Sequence, residues 1–189
     1  MGRTTKHITW DQLGTLVSRM KEDGHRLHLF ARIQSYMGLR GGDVLKLRWV
    51  DLLDNTEISF IESKTGKTRS ISINPELKID VLEEYNRKFG NKKKDLIFLN
   101  RLGTGAMSLS YVNRQFKQAF KKYEIEADQV STHVFRKTFA YKVLEDGDFS
   151  EKAIFLVSRL LNHANINITM RYLLLDKKEE SAAYLNLKL

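Results

Sequence analysis

In RLLNHANINITMRYLLLD, residues 159–176, His163 is followed nine residues later by Tyr172, with an arginine before the tyrosine and three leucines from position 173 on. Histidine can give or take a proton near neutral pH. The tyrosine is therefore either the reacting atom of an enzyme or a core aromatic beside a basic residue. Three more stretches hold polar residues in unusual places. In MGLRGGDVLKLRW (37–49), Arg40 sits just past an expected helix terminus and three residues before Asp43. ESKTGKTRS (62–70) presents Lys64, Lys67 and Arg69 on a short connection. In STHVFRKTFAYKVL (131–144), His133 and Arg136 are three apart and share a face if the stretch is helical. Each has an ordinary explanation by itself. Arg40 can satisfy helix-end carbonyls or pair with Asp43, the hairpin cations can be a solvated turn, and Tyr172 has Ile168 and Leu175 at core spacing.

The elements that must carry these residues are mostly helical. Thr9 and Gln12 form a capping box for a helix over 10–22. Residues 25–38 repeat apolar side chains at helical spacing and end at Gly38, and a short helix is expected over 43–49. EISFIES (57–63) and RSISI (69–73) read as a hairpin around a basic turn. Asn74 and Pro75 start a helix that ends near Gly90. A buried strand is expected within KKKDLIFLN (92–100), then helices near 108–123, 132–145, 150–161 and 167–175. The fold class is α+β, mainly α-helical with a small antiparallel β-sheet, in one domain spanning 1–189. The net charge of +9 suits a polyanion such as DNA or RNA. The chain has no cysteine, so disulfides and thiolate metal sites are excluded. No apolar run approaches bilayer-spanning length, which implies a soluble protein without a membrane partner.

In this order the islands resemble the catalytic domain of the tyrosine recombinase (phage-integrase-type) family: GLR with an acid three residues on, a hairpin lysine, HxxR, and LxH with a tyrosine nine residues later. Any one is common, but the ordered set spans nearly the whole chain. The resemblance implies the DNA breaking-rejoining enzyme catalytic-domain fold and a site-specific recombinase that attacks a phosphodiester with Tyr172, leaving a 3′-phosphotyrosyl link and a 5′-hydroxyl. Arg40 and Arg136 would bind the non-bridging oxygens, and Lys64, the first lysine of SKTGK, would protonate the leaving oxygen. His133 would assist proton transfer, His163 would hydrogen-bond the phosphate, and Asp43 would orient neighbouring cations. Lys67, Arg69 and Lys137 are expected DNA contacts. The rejoining chemistry implies no cofactor and no metal.

The chain departs from the family pattern at Asn162, where glycine is usual; asparagine is the best substitute if a left-handed residue is needed. Lys137 stands where many members have histidine, and Asp43 replaces the commoner glutamate. The expected partners are double-stranded DNA, a homotetramer on DNA that is monomeric when isolated, and accessory DNA-bending proteins, in a cytoplasmic, nucleoid-associated setting in a bacterium or phage. The chain reads as the catalytic part of a longer integrase, its N-terminal core-binding domain lying outside it, with a tail (177–189) whose Tyr184, Leu185, Leu187 and Leu189 pack in trans or fold back in cis. Alternatives are a type IB topoisomerase, which shares the chemistry, and a non-catalytic DNA-binding domain of the same fold.

Overall fold

The computed structural model describes residues 6–87, 90 and 92–173. Helix α1 (Trp10–Glu22) starts at the expected capping box, with Thr9 accepting from the Gln12 amide and the Gln12 side chain accepting from the Thr9 amide. Helix α2 (His28–Met37) ends at Gly38 in the left-handed conformation, φ 59°. Short helices α3 (Gly41–Val44) and α4 (Trp49–Leu53) precede the antiparallel strands β1 (Glu57–Ile61) and β2 (Thr68–Ser72). Asn74 caps α5 (Pro75–Arg87), its side chain accepting from the Glu76 amide at 2.8 Å. The remaining helices are α6 (Leu109–Lys122), α7 (His133–Asp146), α8 (Glu151–Leu160) and α9 (Ile166–Leu173). The expected mainly helical architecture with a small antiparallel sheet is the one observed, and among the described residues no helix is long and apolar enough to cross a membrane.

Two expected elements differ. Residues 43–49 do not form one helix. Between α3 and α4 the backbone turns to the segment expected as a buried strand: Ile97 N–H donates to the Leu47 carbonyl at 3.0 Å and Val50 N–H to the Lys93 carbonyl at 2.7 Å. That segment in turn makes only isolated bridges, Arg48 with Leu96 and Leu99 with Ala106, although Ile97 and Phe98 are buried as expected. Each stretch satisfies the other's backbone groups, which replaces both the helix and the strand.

Contacts gather the chain into two compact units, Met1–Phe139 and Ala140–Leu189, where the sequence reads as one domain. In the first unit the core runs through an aromatic chain: Phe30 lies 5.3 Å from Phe98 and 5.6 Å from Phe116, and Phe116 lies 4.6 Å from Phe135. Helix α6 supplies Val112, Phe116, Ala119 and Phe120, an apolar stripe at helical spacing. In the second unit α8 packs on α9, and Tyr141 donates to the Leu173 carbonyl at 2.7 Å. The expected tail, with Tyr184, Leu185, Leu187 and Leu189, lies outside the described residues.

Gly38 is required twice, by its positive φ and because an added Cβ would come within 2.5 Å of Phe139 Cδ1. Gly24 has a similar φ of 64° with nothing within 4 Å of such a Cβ. Gly38→Ala is therefore expected to lower the unfolding free energy by about 2–5 kcal/mol, combining strain with overpacking. Gly24→Ala should lose only about 1–2 kcal/mol. Urea unfolding followed by tryptophan fluorescence measures both, and equal losses would show that Phe139 does not decide the cost.

Candidate functional site

The first unit assembles its polar residues around the C-terminal end of α2. A helix end leaves carbonyls without intrahelical partners, and cations there are favoured by the helix dipole. Two buried arginines take those carbonyls. Arg136, one turn into α7, donates from Nη1 to the Gly38 carbonyl at 2.7 Å, and Arg69 of β2 donates from Nη2 to the Met37 carbonyl at 3.0 Å. Beyond Gly38, Gln34 Nε2 holds the Leu39 carbonyl at 3.0 Å, and Arg40 follows in extended conformation as the N-cap of α3. Gly41 allows α3 to lie against the segment before α7, since a Cβ there would be 2.7 Å from Thr132 Oγ1. Thr132 is fixed in turn by its N–H, which donates to Asn113 Oδ1 at 2.8 Å.

The hairpin is tied to the same corner by two acids. Asp43, 5% exposed, accepts from the Ser63 amide at 3.1 Å and from Ser63 Oγ at 2.6 Å. It thus anchors the residue before Lys64. Glu62 has a side chain with 0% exposure, and its carboxylate meets Arg40 Nη1 at 2.6 Å, Arg69 Nη1 at 3.5 Å and the Thr65 hydroxyl at 2.8 Å. Burial by itself raises the Glu62 pKa, but the bonds from Arg40 and Thr65 and the fields of Arg40 and Arg69 outweigh it and hold the carboxyl below its ordinary value. Removing one partner from such a buried pair costs about 3–5 kcal/mol.

Lys64 and Lys67 stand exposed on the turn. Arg69 and Lys137, expected as DNA contacts, are both buried. Arg69 is 8% exposed and committed to Glu62 and the carbonyls of α2, because position 69 falls on the inward phase of β2 with Ile71 and Ile73. Lys137 is 2% exposed, and burial lowers its ammonium pKa to about 8.

His133 opens α7 at the surface. The protein around its ring lowers its pKa first by desolvation, then through the charges of Arg136, Lys137, Lys64 and Arg40. Three of the expected site residues, Arg40, Lys64 and Arg136, therefore lie within electrostatic reach of a fourth, His133, in the first unit. Glu62 was not among the expected site residues, although strand alternation marks it: the inward phase of Ile58 and Phe60, carried one residue past β1, falls on Glu62.

The second unit holds His163 and Tyr172. Helix α8 ends with Asn162 in the left-handed conformation, φ 54°, as its sequence position suggested. The Asn162 amide donates to the Arg159 carbonyl at 2.9 Å and the His163 amide to the Ser158 carbonyl at 3.0 Å, the paired bonds of a Schellman end. His163 Nδ1 is 2.8 Å from the hydroxyl of Thr169, which is fully buried. The His163 and Tyr172 rings are 5.6 Å apart and edge-to-face, at 79°. Ile168, expected on the core side of α9, is 39% exposed, while Thr169 and Leu173 form the buried side. Tyr172 is half-buried.

A profile of the phage integrase family matches residues 6–179. The probable integrase/recombinase YoeC of Bacillus subtilis is 32% identical over 146 residues, 77% of this chain and 76% of that protein. Tyrosine recombinase XerD of Rickettsia prowazekii is 25% identical over 183 residues, 87% of this chain but 57% of its own length. Among solved structures, the XerA recombinase superposes with a TM-score of 0.71 at 21% identity, covering 100% of this chain and 68% of that one. A lambda integrase dimer bound to a core site gives 0.68 at 18% identity, covering 92% and 49%. At these identities the solved structures speak for the fold, which is theirs.

The lowered pKa of His133 has a measurable consequence. Its folded value lies below the ordinary 6.5, so the unfolded chain binds this proton more readily, and the contribution of His133 to stability falls as pH drops below about 6.5. An NMR titration of the imidazole should give a midpoint below 6.5, and Lys64→Met should move it upward by removing one cation. An unmoved midpoint would place Lys64 too far from His133 to share a site with it.

Proposed function

The chain belongs to the phage integrase family of tyrosine recombinases, and from that premise we propose that it is the catalytic part of a site-specific recombinase that cuts and rejoins duplex DNA through a 3′-phosphotyrosyl intermediate. The observation that carries this reading is the gathering of Arg40, Lys64, His133 and Arg136 at one corner of the first unit, in the chain order of the motifs that end with His163 and Tyr172. A binder of DNA has no need of this combination; a phosphoryl transfer enzyme uses each part.

In the cleavage step the Tyr172 oxygen bonds to phosphorus as the bond from phosphorus to the 5′ oxygen breaks. Free tyrosine has a pKa of about 10, so prior ionisation at pH 7 would cost about 4 kcal/mol. A base that accepts the proton during attack lowers that cost. His133 suits the task because desolvation and the neighbouring cations lower its pKa and so favour the neutral imidazole. Arg40 and Arg136 hold the non-bridging oxygens, where charge grows in the transition state, and Lys64 on its exposed turn gives a proton to the leaving 5′ oxygen. His163, oriented by Thr169, donates to the same phosphate. The phosphotyrosyl bond conserves the energy of the broken one, so rejoining is the reverse reaction and requires neither ATP nor metal.

Relatives named as integrases favour a role in integration or excision of a mobile element. The proposed reaction joins two duplexes in a homotetramer. The exposed Lys67 adds a backbone contact on the hairpin. Binding by such contacts weakens steeply with salt.

The test uses a nicked duplex carrying a site selected from random sequence by binding. The protein should form a covalent adduct that survives denaturation and is absent in Tyr172→Phe, and EDTA should leave the rate unchanged. Arg40→Ala or Arg136→Ala should slow cleavage by about 10²–10³. An adduct that persists in Tyr172→Phe would overturn the nucleophile assignment and turn attention to Tyr184. Relaxation of any supercoiled plasmid without site preference would assign the chain to topoisomerase chemistry instead.

A further inference from the structure

We infer that Glu62 is a positioning residue for strand cleavage: its buried carboxylate fixes Arg40 and, through Thr65, the turn that carries Lys64, so that one anion places both the phosphate-binding cation and the proton donor. The inference rests on the function proposed above and deepens it.

Arg40 and Thr65 share one oxygen of the carboxylate. The carboxylate is wholly buried, and one oxygen takes both the Arg40 guanidinium at 2.6 Å and the Thr65 hydroxyl at 2.8 Å. The backbone of Glu62 closes the same turn, its amide donating to the Lys67 carbonyl at 3.0 Å and its carbonyl accepting from the Gly66 amide at 2.9 Å. Lys64 lies inside that loop and is exposed. The Arg40 side chain keeps 19% of its surface accessible, and a guanidinium has five donors. The ion pair at Nη1 therefore holds the group in place while donors remain for a phosphate.

Electrostatics explains why an anion is needed here. Arg40 and Arg69 both approach the carboxylate, and Arg69 shares the Gly38 carbonyl with Arg136. Three guanidinium groups this close repel one another, and without a central anion Arg40, the most exposed of them, is the one able to swing away. A preorganised donor stabilises transition-state charge without reorganising during reaction, so loss of Glu62 should appear in the chemical step. DNA affinity should hold or rise, because the variant carries one more net positive charge.

The experiment compares wild-type protein, Glu62→Gln and Thr65→Val in single-turnover cleavage of the nicked duplex, alongside direct binding. Two substrates are used, one natural and one with sulfur in place of the leaving 5′ oxygen. A thiol with a pKa of about 8.5 leaves without a proton, so the sulfur substrate removes the need for Lys64. Glu62→Gln should cleave at least about 10-fold more slowly at saturating DNA with the dissociation constant unchanged or lower, and the sulfur substrate should restore only part of the rate, because Arg40 remains misplaced. Thr65→Val keeps the Arg40–Glu62 pair, so its smaller defect should disappear on the sulfur substrate. Wild-type rates for a folded Glu62→Gln, or a defect confined to binding, would overturn the inference. If Glu62→Gln does not fold, Thr65→Val decides: a defect that the sulfur substrate fails to rescue, or no defect, overturns it. No adduct from the wild-type protein would overturn the proposed function itself, whereas a wild-type adduct with normal variants overturns only the role of Glu62.

Discussion

A carboxylate with no exposed surface must be met by charge and hydrogen bonds, or it takes up a proton. Glu62 meets that condition with Arg40, Arg69 and Thr65, and much of the first unit is arranged so that it can. Position 62, the residue after strand β1, must point inward, β2 must bring position 69, paired with Phe60, inward near it, and α2 must end where Arg40 can turn back toward the hairpin. The carbonyls left by that helix end then take Arg69 and Arg136. Ion pairing and helix termination are thus one problem with one solution, and the cations that solve it are those suited to a phosphate.

Two left-handed residues have the same consequence in the two units. Gly38 ends α2 and releases the chain into Arg40; Asn162 ends α8 and releases it into His163. A Schellman or left-handed end redirects the backbone within one or two residues, so a polar side chain just beyond it leaves the helix at a fixed angle. Each sets the direction in which a residue of the candidate site leaves its helix.

Concentrating cations at one corner has a cost that the protein distributes unequally. Arginine keeps its charge under such crowding, and Arg40, Arg69 and Arg136 take the inner positions. Lysine and histidine yield more readily: burial lowers Lys137 to about 8, and desolvation together with the surrounding cations lowers His133. The result separates permanently charged arginines from a histidine and a lysine whose proton affinity is reduced.

The motifs and the helix boundaries were legible in the sequence because they are local. The capping box at Thr9, the Asn74–Pro75 start, the Gly38 end and the left-handed Asn162 each depend on a few adjacent residues, and all are found as their types and spacing indicate. What the sequence did not reveal was which cations face outward. Lys67 and Arg69 are two residues apart on one hairpin, yet one is exposed and the other buried against Glu62. The break at 43–49 and the loss of the strand at 92–100 likewise follow from hydrogen bonds between segments some fifty residues apart. The sequence by itself determined which residues could do chemistry and where the helices end, since propensity and capping act over one turn. Only the tertiary structure decided which charges are buried, because burial is settled by which distant segments meet.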